Sequence, residues 1–216
     1  MYVPDAFKED RVEVLHDSMR AIGVATVVGV SPNGLLATHV PIEIISDSSP
    51  WGRLRFHLAR ANPHVSAMRE GGELLFIFQG PQGYVTPSWY PSKQEHGRVL
   101  PTWNYVMIHA YGSPEAFEGP EWLRPHLDAL SGSFEAQFDA PWRIDDAPTD
   151  FIDGMCSGIV GFEVVVDRLE GKWKLSQNRP SKDREGVVLG LREAGDEASQ
   201  KLADLVENAE NVENAD

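Results

Sequence analysis

The residues best placed to do chemistry form the run Phe56-His57-Leu58-Ala59-Arg60-Ala61-Asn62-Pro63. A stretch of strand character leads into an arginine, and Asn62-Pro63 then has the form of a helix start, with a capping side chain and proline at the first helical position. The unpaired N–H groups of a first helical turn attract anions, and a guanidinium beside them suits a terminal phosphate monoester through charge-assisted hydrogen bonds. A capped helix with a solvated arginine would have the same sequence, so these eight residues alone leave both readings open.

A second cluster follows. Tyr84, Trp89, Tyr90 and Trp103 lie close in sequence to Gln79, Gln82, Ser88, Thr102 and Asn104. Flat apolar surface mixed with amides and hydroxyls is what a heteroaromatic ring needs, although a core or a dimer interface draws the same residue types. The chain has no Walker-type phosphate loop, no G-x-G-x-x-G after a strand, no H-E-x-x-H and no G-x-S-x-G, which leaves the usual nucleotide-hydrolase, Rossmann, zinc-protease and α/β-hydrolase readings weak. The strand histidines His39, His57 and His109 could converge only through the fold.

These residues are carried by a chain whose pattern is mostly that of strands. Val12, Leu15, Met19 and Ile22 recur at helical spacing, with Asp10 and Glu13 suited to a capping box and Gly23 to the stop. Val24 to Val30, Leu35 to Ile45 and Arg53 to Ala59 read as successive strands, the first two joined by the hairpin signal Ser31-Pro32-Asn33-Gly34. A short helix after Asn62 ends at Gly71-Gly72. Glu73 to Gln79 is then a strand, Pro81 to Pro101 a loop around the short strand Gly83 to Thr86, and Thr102 to Gly112 a strand apolar on both faces. A helix from Pro120 to about Phe138 presents Leu123, Leu127, Leu130, Phe134 and Phe138. Another helix starts near Thr149, strands follow at Ile159 to Val166 and Trp173 to Leu175, and Lys182 to Leu191 is helical. About six antiparallel strands with interspersed helices predict an α+β chain, mainly β, built on a small closed barrel.

Composition sets the class. A chain of 216 residues with 42% hydrophobic content can bury a full core, and the lone Cys156 forms no intrachain disulfide. The start Met1-Tyr2-Val3-Pro4-Asp5 lacks signal-peptide character, and no apolar run approaches the ~20 residues of a membrane helix, so a cytoplasmic location with no membrane partner is expected. The net charge is −14, and half of that excess lies after Arg192, where 193–216 is expected to be an acidic tail, helical or frayed, outside a domain of residues 1–192. One locally basic stretch runs from Asp167 to Arg184, with Arg168, Lys172, Lys174, Arg179, Lys182 and Arg184.

The strings Met1-Tyr2-Val3-Pro4, Ala37-Thr38-His39-Val40-Pro41, His57 through Pro63, Phe78-Gln79-Gly80-Pro81, Ser88-Trp89-Tyr90-Pro91 and Pro101-Thr102-Trp103-Asn104-Tyr105 together resemble the PaiB-type family of FMN-binding negative transcriptional regulators. The likeness continues through Val160-Gly161-Phe162 and Gly171-Lys172-Trp173-Lys174-Leu175-Ser176-Gln177-Asn178-Arg179, in order, to about Leu191. The resemblance implies a six-stranded antiparallel split β-barrel related in fold to the pyridoxamine-phosphate oxidases, a homodimer with FMN held between subunits. It assigns the phosphate to His57, Ala59, Arg60 and Asn62, places Thr38 and His39 near the flavin ring, and brings Trp103 and Asn104 from the dimer partner.

Two functions follow from that site: a flavin-binding regulator, and a flavin-dependent oxidoreductase acting on a small molecule. A dimeric scaffold with a degenerate flavin site is the third reading. DNA as a direct partner has weak support, because no helix-turn-helix pattern is present and the net charge repels phosphates. Any such contact would run through the basic stretch.

Overall fold

The computed structural model describes residues 1–209. In chain order its elements are β1 (Lys8–Glu9), α1 (Val12–Ile22), β2 (Val24–Ser31), β3 (Gly34–Pro41), β4 (Glu43–Ile45), β5 (Arg53–Ala59), α2 (Pro63–Arg69), β6 (Leu74–Val85) and α3 (Ser92–Glu95). Then come β7 (Thr102–Gly112), β8 (Pro114–Phe117), α4 (Pro120–Glu135), α5 (Thr149–Ser157), β9 (Ile159–Val165), β10 (Arg168–Lys174), α6 (Ser181–Ala194) and α7 (Glu197–Asn208). The architecture is mixed α+β with large antiparallel sheets: six strands in the order β1-β10-β7-β6-β2-β3, and four in the order β4-β5-β9-β8.

The chain divides into two compact units, not into a domain and a tail at residue 192. One unit comprises Met1–Arg11, Gln79–Ile108 and the residues from 170 on; the other comprises Val12–Phe78 and His109–Leu169.

In the second unit the β2–β3 hairpin forms where its turn residues predict, with Ser31 paired to Gly34 across Pro32-Asn33. Gly34 takes φ 109°, a conformation that side-chain-bearing residues rarely adopt. The predicted strand Leu35 to Ile45 is in fact two strands in different sheets. The first runs to Pro41, with the Ile42 N–H still donating to the Gly23 carbonyl at 3.0 Å in the β2–β3 register, and the second, β4, pairs with β5. β5 alternates cleanly: Leu54, Phe56 and Leu58 are buried, while Arg53, Arg55 and His57 take the other face. Phe56 stacks on Phe162 of β9, directly opposite it in register, and meets Phe76 edge-on. Helix α4 ends at Glu135, short of the expected Phe138, and only the front of its apolar stripe is covered: Leu123 and Leu130 are buried whereas Phe134 and Phe138 are exposed.

In the first unit the expected pair of strands Glu73 to Gln79 and Gly83 to Thr86 is one strand, β6, whose residues before Gln79 belong to the second unit. The acidic segment is helical, one of the two forms expected for it, and it is docked rather than apart. Helix α7 places Leu202, Ala203 and Val206 at 0% exposure in a cluster with Val85, Tyr90, Val106, Leu175, Val187 and Leu191. Its acids lie on the outer side, where Asp204 and Glu207 both pair with Arg192. Three core side chains outweigh the solvated face, because burying each leucine or valine contributes about 1.5 to 3 kcal/mol. Residues 210–216, the end of that predicted tail, lie outside the described residues.

Candidate functional site

The strand-to-helix corner predicted to receive a phosphate exists, but its parts are used differently from the expectation. Asn62 caps α2 by accepting the His64 N–H at 2.9 Å, Pro63 has no N–H, and the Val65 N–H goes to the Asn62 carbonyl. The first turn therefore keeps no free donor for an anion. Ala59, exposed, is the last residue of β5, opposite Ile159 of β9.

Arg60 is the exception. Its Nε donates to the Ser157 carbonyl at 3.0 Å and one terminal nitrogen donates to the Ile159 carbonyl at 3.1 Å. These two bonds fix the guanidinium plane against the α5–β9 corner. The other terminal nitrogen donates to Glu118 at 3.0 Å, and Glu118 also pairs with Arg69 from the last turn of α2. Arg60 thus presents a preorganised edge to a carboxylate.

His57 points elsewhere. Its Nδ1 lies 3.1 Å from Nε2 of His126 on α4, and Nδ1 of His126 lies 2.7 Å from the Glu43 carboxylate. Burial, reinforced by His126, pulls the His57 pKa down to about 4. A ring kept neutral and engaged with His126 is a poor phosphate ligand. Trp122 closes over this chain, stacked on Phe117 at 4.8 Å with the Arg55 guanidinium 5.5 Å from its ring. The approach needs Gly161, where a Cβ would lie 2.2 Å from the indole.

Thr38 and His39 occupy neighbouring positions on β3 with separate partners. The Thr38 hydroxyl bonds Nδ1 of buried His64 at 2.9 Å, and exposed His39 bonds the Thr26 hydroxyl at 2.9 Å. His109 pairs with Tyr111, so the three strand histidines do not form one group. Burial lowers the His64 pKa, and its Nε2 has no partner among the described residues.

In the first unit Trp103 and Asn104 diverge, as adjacent strand residues must. Trp103 is 47% exposed, donates its indole N–H to Gln82 at 3.1 Å and lies near the exposed Tyr84. Asn104 is 0% exposed and exchanges hydrogen bonds with Ser176, so it braces the interior and does not offer itself to a ligand.

The basic stretch is also committed internally. Lys172 donates to the Tyr2 carbonyl, Lys174 to Thr102 and the Trp103 carbonyl, and Arg184 to the carbonyls of Val206 and Ala209. Arg168 lies over Tyr111, Arg179 over Tyr90, and Lys182 pairs with Glu95. Burial lowers the Lys174 pKa, and the nearby Lys172 and Arg179 add to the effect.

Sequence reasoning missed Glu43, His126, Arg69 and Glu118. A usable signal existed for His126, which follows Trp122 by four residues and therefore shares its helix face. Nothing local marks Glu118, forty-nine residues from Arg69.

Comparison with known proteins supplies the context. The family described as "Putative FMN-binding domain" matches residues 1–168. An uncharacterised protein of Emericella nidulans is 31% identical over 241 residues, covering 95% of this chain and 96% of its own. The Bacillus subtilis protein named protease synthase and sporulation protein PAI 2 is 29% identical, covering 96% of this chain and 97% of its own. Among solved structures, the FAD and heme binding protein of Mycobacterium smegmatis superposes with a TM-score of 0.58 at 19% identity, over 77% of this chain and 73% of that one. The shared architecture is that of the flavin-binding split barrels, and the cofactor is a flavin. By its match over residues 1–168 and its similarity to these relatives, the chain belongs to the PaiB-type FMN-binding family.

Proposed function

We propose that this chain is a flavin-binding regulatory protein that works as a homodimer, with Arg60 receiving the terminal phosphate of FMN. The observation that carries the reading is the Arg60 guanidinium, locked by two main-chain carbonyls and turned toward an anion. Of the four residues that the family resemblance assigns to the phosphate, it alone directs its donors at an acidic group. The donor set fits a phosphate monoester, which a guanidinium holds through charge-assisted, bidentate bonds.

By the family resemblance, Trp103 of the dimer partner would approach the flavin ring; in its own unit Trp103 lies beside Gln82 and Tyr84. Both aromatics are about half exposed, and a second copy of the chain would cover them more fully than solvent does. Bound flavin supplies redox chemistry at its ring; the residues described here bind, orient and shield it. The regulatory role is supported by likeness to the B. subtilis protein whose name refers to protease synthesis and sporulation.

Adding FMN to purified protein tests the reading. A shifted and structured flavin absorption band is expected, in a species of twice the monomer mass by sedimentation equilibrium. Arg60→Ala should weaken FMN binding by about ten- to a hundredfold while riboflavin binding changes little. No change in the flavin spectrum at any protein concentration would overturn it.

A further inference from the structure

We propose that Arg69 is the second arm of the phosphate site and that Glu118 holds that site as an internal anion, so that the phosphate monoester binds by displacing the chain's own carboxylate. This rests on the assignment of the phosphate to Arg60 and extends it to residues that neither the sequence reading nor the family resemblance marks.

Glu118 gives one carboxylate oxygen to Arg60, at 3.0 Å, and the other to Arg69. Two guanidiniums that each grip one oxygen of a single acid make a receptor for a tetrahedral dianion at least as well as for a carboxylate. The charge count agrees. Two cations and one carboxylate leave an excess of one positive charge, which a phosphate monoester carrying close to two negative charges neutralises and a lone glutamate does not.

The two halves of the arrangement differ in rigidity. Arg60 is anchored to the main chain independently of Glu118, so removing the acid leaves the guanidinium in place. Glu118 is 47% exposed and belongs to the two-residue connection between β8 and α4, whose second residue, Gly119, has φ 89°. That positive φ favours glycine in this tight connection, while the half-exposed Glu118 side chain lies at the surface with room to rotate. Its hydrogen bond with Arg60, chiefly, holds the Glu118 carboxyl below the ordinary carboxylate range. It is therefore charged, and competing, at neutral pH. Exposed ion pairs are weak, so a stronger anion can displace it at little cost.

FMN and riboflavin affinities of the full chain, measured by quenching of flavin fluorescence, test the proposal. Glu118→Gln should tighten FMN by about two- to fivefold and leave riboflavin unchanged, the size expected for losing an exposed ionic competitor. Arg69→Ala should weaken FMN by about tenfold or more, again without effect on riboflavin, and Arg69→Lys should restore part of the loss. Inorganic phosphate should compete with FMN more effectively in Glu118→Gln than in the original chain. If Arg60→Ala discriminates FMN from riboflavin but Glu118→Gln and Arg69→Ala do not, the internal-anion proposal is wrong and the phosphate assignment stands. If Arg60→Ala also fails to discriminate, the assignment itself falls and takes the proposal with it.

Discussion

His57 Nδ1 and His126 Nε2 face each other across 3.1 Å, joining strand β5 to helix α4 through a single shared hydrogen. The Glu43 carboxylate lies 2.7 Å from Nδ1 of His126 on the far side of that ring. A carboxylate only accepts, so Nδ1 of His126 donates to it. Burial and the neighbouring His126 hold the His57 pKa down to about 4, so the ring engages His126 as a neutral group at pH 7.

Folding stability should decline as the pH falls from about 6.5 towards 4. The unfolded chain binds a proton at His57 near its ordinary value of 6.5, whereas the folded chain refuses it until about 4, so protonation favours unfolding across that window and adds nothing further below it. The full shift corresponds to roughly 3 kcal/mol, an upper figure for a residue that retains some contact with water. His64, whose pKa burial also lowers, acts in the same direction. Urea unfolding at pH 7, 6 and 5 should show a shallower pH slope for His57→Gln than for the original chain. Equal slopes would mean that His57 titrates alike in both states.

Leu202→Ala should cost about 2 to 4 kcal/mol, because the side chain is fully buried in the α6–α7 cluster and the space it leaves cannot be refilled by solvent. Lys201→Ala, one residue away, removes only an exposed pair with Glu197 and should cost under about 0.5 kcal/mol. Chemical denaturation of the two variants side by side checks both figures. A Leu202→Ala chain as stable as the original would mean that the buried face of α7 does not hold it to the cluster.

How far the sequence reading reached follows from what each signal is made of. The β2–β3 hairpin was legible because its turn residues act locally, and β5 because burial alternates along it. The change of sheet after Pro41 was not legible, because the apolar run continues through Ile45 and the switch depends on pairing with the distant β5. Charge misled the reading of α7: the acids after Arg192 outnumber the leucines and valines there, yet Leu202, Ala203 and Val206, on one helix face, were sufficient to dock it. The strand, arginine and helix cap around Arg60 were legible because they are contiguous. The site was illegible at Glu118 and Glu43, whose partners lie far along the chain, and the Asn104 side chain could not be known to point inward without its partner Ser176.

Duplex DNA should bind this protein weakly at physiological salt, and the reason lies in how its basic residues are spent. Electrostatic binding requires lysines and arginines free to exchange counterions for phosphates. In the only locally basic stretch, all six cations contact carbonyls, hydroxyls, aromatic rings or acids of the same chain, and Lys172 is 9% exposed. Using them would mean breaking those contacts against a chain of net charge −14. Fluorescence anisotropy with a labelled duplex should therefore give dissociation constants no tighter than about 10⁻⁶ to 10⁻⁴ M, insensitive to sequence. Lys172→Glu and Lys174→Glu should lower stability more than they lower DNA binding, because what they disrupt is the seat of Tyr2, Tyr105 and Trp103. Nanomolar, sequence-dependent binding that vanishes in these variants while their unfolding midpoints stay put would show instead that the stretch is a direct DNA-reading surface.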